Sequence, residues 1–237
     1  MLKYFDGTQE PDFINGEIIL FDKPYTWTSF NVVSKVKFLI IKKLKIKTLK
    51  VGHAGTLDPL ATGLLIIATG KSTKLIEEIQ GGEKVYEAEI YIGATTPSFD
   101  METAINQTFE INNISNSNIE EALELLKGKK LQSPPIYSAI RIAGKRAYEF
   151  ARSGKSLEMA QREVVISEII IEKIELPIIK LQITCSKGTY IRSLANDLGL
   201  LLNNGAYLKS LRRIKSGYFS VENAFTVENF EKFCMEL

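Results

Sequence analysis

Gly52-His53-Ala54-Gly55-Thr56-Leu57-Asp58-Pro59-Leu60-Ala61-Thr62-Gly63, followed by Leu64-Leu65-Ile66-Ile67-Ala68, is the stretch on which the reading of this chain turns. It holds the only histidine, an aspartate directly ahead of a proline, and three glycines. A residue before proline is pushed out of the helical region, so Asp58 has restricted backbone freedom. The glycines permit tight turns and close approach of another backbone or a ligand. The unbroken apolar run after Gly63 reads as a buried strand. The stretch predicts a rigid polar loop mounted on a core strand, a setting in which functional residues concentrate. Taken alone it reads more readily as an ordinary turn, since Gly, Thr, Asp and Pro are all turn formers.

Working outward, residues 16–21 read as a strand ending at Asp22-Lys23-Pro24. Thr28 or Ser29 is placed to cap a helix starting near Phe30, in which Phe30, Val33, Val36 and Ile40 recur at helical spacing. On the other side, residues 72–79 read as a short helix closed by Gly81-Gly82, and residues 84–92 alternate as a strand. The segment 95–117 is irregular, and Ser117 or Asn116 then caps a helix over 119–126. A short strand at 138–142, a basic helix at 145–152, a long hairpin of 164–176 with 178–185, and a helix at 189–202 follow. Strands at 207–214 and 217–221 and a last helix capped by Thr226 complete the order. This irregular mixture predicts an α+β fold with a mixed, mainly antiparallel sheet flanked by helices.

The 237 residues suffice for one sizeable domain, and a hydrophobic content of 45% excludes wholesale disorder. No apolar run reaches the length of about 18 residues needed for a membrane span, and the N-terminus lacks a signal-peptide core, so the expected location is the cytoplasm. One histidine with two scattered cysteines, Cys185 and Cys234, offers no zinc-ligand spacing, so no metal site is expected. Cys185 reads as a core or strand-end thiol. The net charge is only +2, but seven lysines and no acid occupy residues 35–50. Further basic groups gather at 127–130, 141–155 and 209–215. Basic patches within a near-neutral total suit a polyanion-binding face, although solvated helix faces give the same pattern.

Several familiar motifs fail. Gly70-Lys71-Ser72 resembles the end of a phosphate-binding loop, but the glycine that pattern needs five positions earlier is Leu65. An aspartyl-phosphate reading of Asp58 needs a second aspartate where Leu60 stands. A Ser/His/Asp reading finds no serine elbow.

What remains is a set of separated segments in a fixed order: GHAGTLDPLATGLL at 52–65, KVYEAEIYIG at 84–93, PPIYSA at 134–139 leading to GKRAYEFAR at 144–152, CSKGTYIRSLANDLG at 185–199, and LKSLRR at 208–213. Together these resemble the TruB-type tRNA pseudouridine synthases, and the resemblance runs from about residue 16 to residue 217. It implies the pseudouridine synthase fold over 1–217, with an RNA-gripping insertion at about 130–160. By the same resemblance residues 218–237 are expected to form a short C-terminal tail or helix, without a full C-terminal PUA domain.

By that resemblance the reaction breaks the N-glycosidic bond of a uridine, turns the base and rejoins it through carbon. It needs no metal or other cofactor. One carboxylate acts as nucleophile at the sugar C1′ or the base C6, and the matching residue is Asp58. Arg192 matches the arginine that pairs with it, and such a neighbour keeps a carboxylate ionised. Tyr86 matches the tyrosine that stacks on the target base, and Tyr190 the other pocket tyrosine. Leu211 aligns with the residue whose main chain meets the uracil edge. His53 is implied to lie against the RNA where the extruded uridine was stacked. Arg141, Lys145, Arg146 and Arg152 would meet phosphates. The implied substrate is the T stem-loop of tRNA, modified at position 55 by a monomeric enzyme that flips the base. Alternatives are a pseudouridine synthase for another RNA and a non-catalytic tRNA-binding or tRNA-folding protein.

Overall fold

The computed structural model describes residues 2–138, 140–142, 144–153 and 159–236; the side chains of residues 141, 142, 145, 148 and 152 also lie outside the described set. The chain divides into two compact units, Met1–Tyr86 with Leu211–Leu237, and Glu87–Ser210.

The first unit opens with β1 (Ile18–Lys23) and α1 (Ser29–Leu44). Thr28 caps α1 through a reciprocal pair with Asn31: its side chain accepts the Asn31 N–H, and the Asn31 side chain accepts the Thr28 N–H at 2.8 Å. Next come β2 (Val51–Ala54) and β3 (Ala61–Thr69). The expected helix at 72–79 is a 3₁₀ turn (Gly70–Leu75) running into a short α2 (Ile76–Gln80). Five α-helical residues are too few for a standing amphipathic helix, and only Ile79 of α2 is buried. β4 (Lys84–Ile92) carries the chain into the second unit.

There, β5 (Ala94–Thr95) and β6 (Gln107–Thr108) pair with each other, and α3 (Asn116–Leu126) follows. Its cap is Ser115, ahead of both expected candidates, Asn116 and Ser117, because Ser115 and Asn118 satisfy each other's backbone N–H groups. After β7 (Gly128–Gln132), β8 (Arg141–Ile142) and β9 (Lys145–Arg146) form a two-stranded ladder ahead of α4 (Ala147–Arg152). The expected helix at 145–152 therefore starts two residues late, and Gly144 with φ +82° lies between the paired strands. β10 (Arg162–Glu175) and β11 (Ile178–Cys185) make the expected antiparallel hairpin, α5 spans Ile191–Leu201, and β12 (Ala206–Ser216) returns to the first unit. β13 (Phe219–Ser220), a 3₁₀ turn (Val221–Asn223) and α6 (Val227–Glu236) end the chain.

In the first unit the strand order is β1-β3-β12, with β2 also on β3 and β13 on β12. β1 and β2 run antiparallel to β3, whereas β12 runs parallel to it. β3 is buried on both faces, as its continuous apolar run requires. Leu65 and Ile67 join Ile19, Phe21, the α1 stripe Val32, Val36, Leu39 and Ile40, and Phe230 of α6. Leu64 and Ile66 join Ile18, Leu20, Ile79 and Phe219 on the opposite face. The second unit has the order β12-β4-β11-β10-β7, with α3 packed on α5 and β10. β11 alternates buried Ile179, Leu181 and Ile183 with more exposed residues, the period of a one-sided sheet.

Candidate active site

In the first unit, Asp58 lies half-buried in the loop joining β2 to β3, and the backbone around it is fastened at four successive points. Arg213 Nη2 donates to the Gly55 carbonyl at 3.1 Å. The buried Ser29 hydroxyl, at the first residue of α1, accepts the Leu57 N–H at 2.9 Å and donates to the Leu57 carbonyl at 3.1 Å. The Ala61 N–H donates to the Asp58 carbonyl at 3.1 Å. Lys23 Nζ donates to the Pro59 carbonyl at 3.3 Å. A loop with its polar main chain paired this way has few alternative conformations to visit. The rigid loop expected from Asp58-Pro59 is present, and most of its rigidity comes from distant residues.

Two of those residues are fully buried cations. Lys23 is 0% and Arg213 1% exposed. The register explains both. Lys23 on β1 faces Gly63 on β3, and Gly63 faces Arg213 on β12, so the three stand in one row across three strands. Residues in one row project to one face of a sheet, here the face carrying Ile19 and Phe21. Gly63 has φ +97°, and a Cβ there would lie 2.3 Å from the Arg213 carbonyl oxygen. Lys23 also donates to the carbonyls of Pro24 at 2.9 Å and Trp27 at 2.6 Å, and Arg213 Nε donates to the Leu64 carbonyl at 2.7 Å. These carbonyls satisfy charges that would otherwise be too costly to bury. Burial pushes the Lys23 ammonium down to about 8; the Asp58 charge opposes that shift, Arg213 adds to it and Asp22 opposes it.

His53, on β2, is half-buried. Burial first, and the Arg213 charge second, push its imidazole below the usual histidine value, while the nearby Gly55 backbone opposes them. At neutral pH it is therefore the uncharged ring. Leu211 pairs in parallel register with Ala61, and Thr62 Oγ1 donates to its carbonyl at 3.5 Å. Tyr86 on β4 is 8% exposed. Beside the row of cations, Arg212 and Asp22 form a two-pronged ion pair at 3.0 and 2.7 Å.

In the second unit, Arg192 stands at the start of α5 and is 3% exposed, so it is no solvated helix-face charge. Its Nη1 donates to the Ser98 carbonyl at 3.2 Å, and its Nε lies 3.5 Å from Asp100 Oδ2. Asp100 belongs to the irregular segment after β4. There Thr96 Oγ1 donates to the Asp100 carbonyl at 2.6 Å, and the Leu208 N–H donates to the Phe99 carbonyl at 2.9 Å. Tyr190 immediately precedes α5. The Gln132 side chain holds both its backbone groups, accepting its N–H at 2.8 Å and donating to its carbonyl at 3.1 Å. The Arg162 guanidinium sits 4.7 Å from the centre of the Tyr190 ring, a cation–π distance.

Of the residues expected from sequence, His53, Asp58, Tyr86 and Leu211 belong to the first unit, and Tyr190 and Arg192 to the second. Arg146 is exposed at the end of β9, whereas the side chains of Arg141, Lys145 and Arg152 lie outside the described set. Residues that sequence reasoning missed are Lys23, Ser29, Arg213, Gln132, Arg162 and Asp100. Nothing local in the sequence marks the two buried cations, since Lys23 follows Asp22 at a strand end and Arg213 stands among Lys209, Arg212 and Lys215. Cys185 is buried at the end of β11, as expected of a core or strand-end thiol. Among the described residues, no cluster of His, Cys, Asp and Glu has the arrangement of a metal site, and no helix is long and apolar enough to cross a membrane.

The fold and this loop define a class of protein, and comparison with known proteins identifies it. Residues 42–191 match the TruB family pseudouridylate synthase N-terminal domain, and residues 192–236 match the tRNA pseudouridylate synthase B C-terminal domain. The chain belongs to the TruB family of pseudouridylate synthases, which are isomerases. It is 49% identical over 219 residues to the tRNA pseudouridine synthase B of Phocaeicola vulgatus, covering 92% of this chain and 93% of that one. To the protein of the same name from Flavobacterium johnsoniae it is 50% identical over 222 residues, covering 93% and 97%. Among solved structures, a Cbf5-Nop10-Gar1 complex matches with a TM-score of 0.69 at 27% identity, over 93% of this chain and 54% of that one. An H/ACA ribonucleoprotein bound to a substrate RNA containing 2′-deoxyuridine matches with a TM-score of 0.67 at 24% identity, a likeness of fold alone. This chain spans 57% of that one. The α+β fold with a mixed, mainly antiparallel sheet is thus the pseudouridine synthase fold, and its C-terminal part matches the short TruB-type domain model rather than a PUA domain.

Proposed function

We propose that this protein converts uridine to pseudouridine in the T loop of tRNA, at position 55, with Asp58 as the nucleophile. The observation that carries the reading is the Asp58 loop: a carboxylate on a backbone pinned at Gly55, Leu57, Asp58 and Pro59. A nucleophile must meet its carbon within a few tenths of an ångström, and a fixed main chain supplies that placement before substrate arrives. In the reaction the N1–C1′ bond breaks and the C5–C1′ bond forms. The C5 proton is lost to water and N1 gains one, so the product is an isomer and nothing else is consumed. Asp58 attacks C1′ or C6 in its ionised form.

Tyr86 stacks on the flipped base and the Leu211 main chain meets the uracil edge. The uncharged His53 ring lies where the uridine was stacked, an arrangement suited to an apolar contact with neighbouring bases. Tyr190 and Arg192 take the roles that the family resemblance gives them. Arg141, Lys145, Arg146 and Arg152 meet phosphates of the RNA, in an insertion at about 130–160 of a catalytic domain spanning 1–217. The enzyme acts as a monomer in the cytoplasm. Extruding the base costs roughly a few kcal/mol, which contacts to the phosphates offset.

A T-arm stem-loop RNA tritiated at uracil C5 tests this directly. Wild-type protein is expected to release tritium, and Asp58→Asn to release none while keeping its RNA affinity within about tenfold, ~1.4 kcal/mol. Turnover by Asp58→Asn would remove the nucleophile assignment. Binding without release by the wild type would point to another RNA or to a purely binding role.

A further inference from the structure

We propose that Arg213 is a positioning residue for the reaction: its buried guanidinium ties the His53–Asp58 loop to the core strand behind it and sets the electrostatic surroundings of His53. The inference rests on the reading of Asp58 as the nucleophile.

The geometry is specific to a planar fork. Nε donates to the Leu64 carbonyl at 2.7 Å and Nη2 to the Gly55 carbonyl at 3.1 Å. Leu64 lies within β3, which is buried on both faces. Gly55 begins the loop, three residues before Asp58, with φ +94°. A Cβ at Gly55 would come 3.4 Å from Arg213 Nη1, so the loop passes the guanidinium closely. One rigid group therefore fixes the loop to the strand from which Asp58 must be placed. A lysine ammonium is a point charge without that fork. An apolar residue would leave both carbonyls without their donor.

The charge has a second use. Arg213 is the cation that acts on His53, while Asp58, Arg213 and Asp22 act on Lys23. A protonated His53 would add a positive charge in a half-buried place beside the Arg213 guanidinium, so burial and that charge both favour the neutral ring. A neutral ring keeps its apolar faces available to a base. Parallel pairing of β12 with β3 is what delivers Arg213 there, from a position distant in the chain.

His53 is the only histidine, so its C2 proton gives one unambiguous NMR titration. The experiment compares wild type, Arg213→Met and Arg213→Lys by that titration and by tritium-release kinetics. In Arg213→Met the His53 midpoint should move up, because a nearby positive charge is gone. Its kcat should fall about 100-fold, the cost of a misplaced reacting group, with KM for the RNA changing less than about threefold. In Arg213→Lys the charge remains and the fork is lost. The midpoint should stay near wild type while kcat falls about tenfold. A kcat near wild type in both variants, or an unmoved His53 midpoint in Arg213→Met, overturns the proposal. If Arg213→Met does not fold, Arg213→Lys decides alone, and an unchanged kcat overturns it. An active Asp58→Asn would instead overturn the proposed nucleophile, and the His53 titration would still report on Arg213.

Discussion

Lys23 has its whole side chain in the protein interior, yet it keeps three backbone carbonyls, those of Pro24, Trp27 and Pro59, as acceptors. Burial lowers its affinity for a proton to about 8, against 10.5 for an ordinary lysine. Between those values the unfolded chain holds a proton that the folded protein has released, so stability must rise with pH across that window. Below pH 8 both states are charged and this group gives no slope. Wild type and Lys23→Met should therefore diverge above pH 8. The wild-type advantage in urea unfolding should grow by at most about 1.4 kcal/mol per pH unit up to about pH 10.5. A difference that stays flat or shrinks between pH 8 and 10 would show that Lys23 is not held as a depressed, buried amine. The pairing of the Asp58 loop with Lys23, Ser29 and Arg213 has the same residue-level logic. Each buried donor is matched to a carbonyl, because an unmatched one would cost more than the contact yields.

β3 is where the elements meet. It pairs with β1, β2 and β12, and its first residues carry the loop. Gly63 makes that junction possible, since its φ of +97° and the 2.3 Å approach to the Arg213 carbonyl leave no room for a side chain. Gly63→Ala should cost about 3 kcal/mol in urea unfolding, from strain and overpacking together. Gly128 has a similar φ of +84° but nothing within 4 Å of its absent Cβ. Gly128→Ala should carry the backbone term only, about 1–2 kcal/mol. Equal losses for the two would mean that packing against β12 contributes nothing. The same reasoning applies to α5, which receives Tyr190 through the Gln132 side chain and Arg192 through the Ser98 carbonyl. Residues 95–100, part of the segment that reads as irregular in the sequence, supply that carbonyl and the Asp100 carboxylate.

At the scale of the molecule, a net charge of +2 conceals a strongly uneven distribution. Arg146 is exposed, and together with Arg152 it is expected to neutralise RNA phosphates. Replacing both by glutamine should lower the slope of log affinity against log salt by about 1.5, as two lost phosphate contacts require. An unchanged slope would remove them from the interface. The sequence by itself determined the α+β class, the β10–β11 hairpin, the polar loop ahead of β3, and the α1 cap to within Thr28 or Ser29. Those features depend on local periodicity, capping pairs and turn residues, which neighbours in the chain declare. It also determined the family, because several spaced motifs occur in order. It did not reveal the burial of Lys23 or Arg213 or the part played by Gln132, and it points to Arg192 only through the family resemblance. Their roles arise from strand register and helix docking, which join residues far apart in the chain, such as Arg213 with Gly55 and Arg192 with Ser98. A buried charge looks in the sequence like any other lysine or arginine. Only the tertiary structure decides which carbonyls it faces, because that pairing exists only once the strands are side by side.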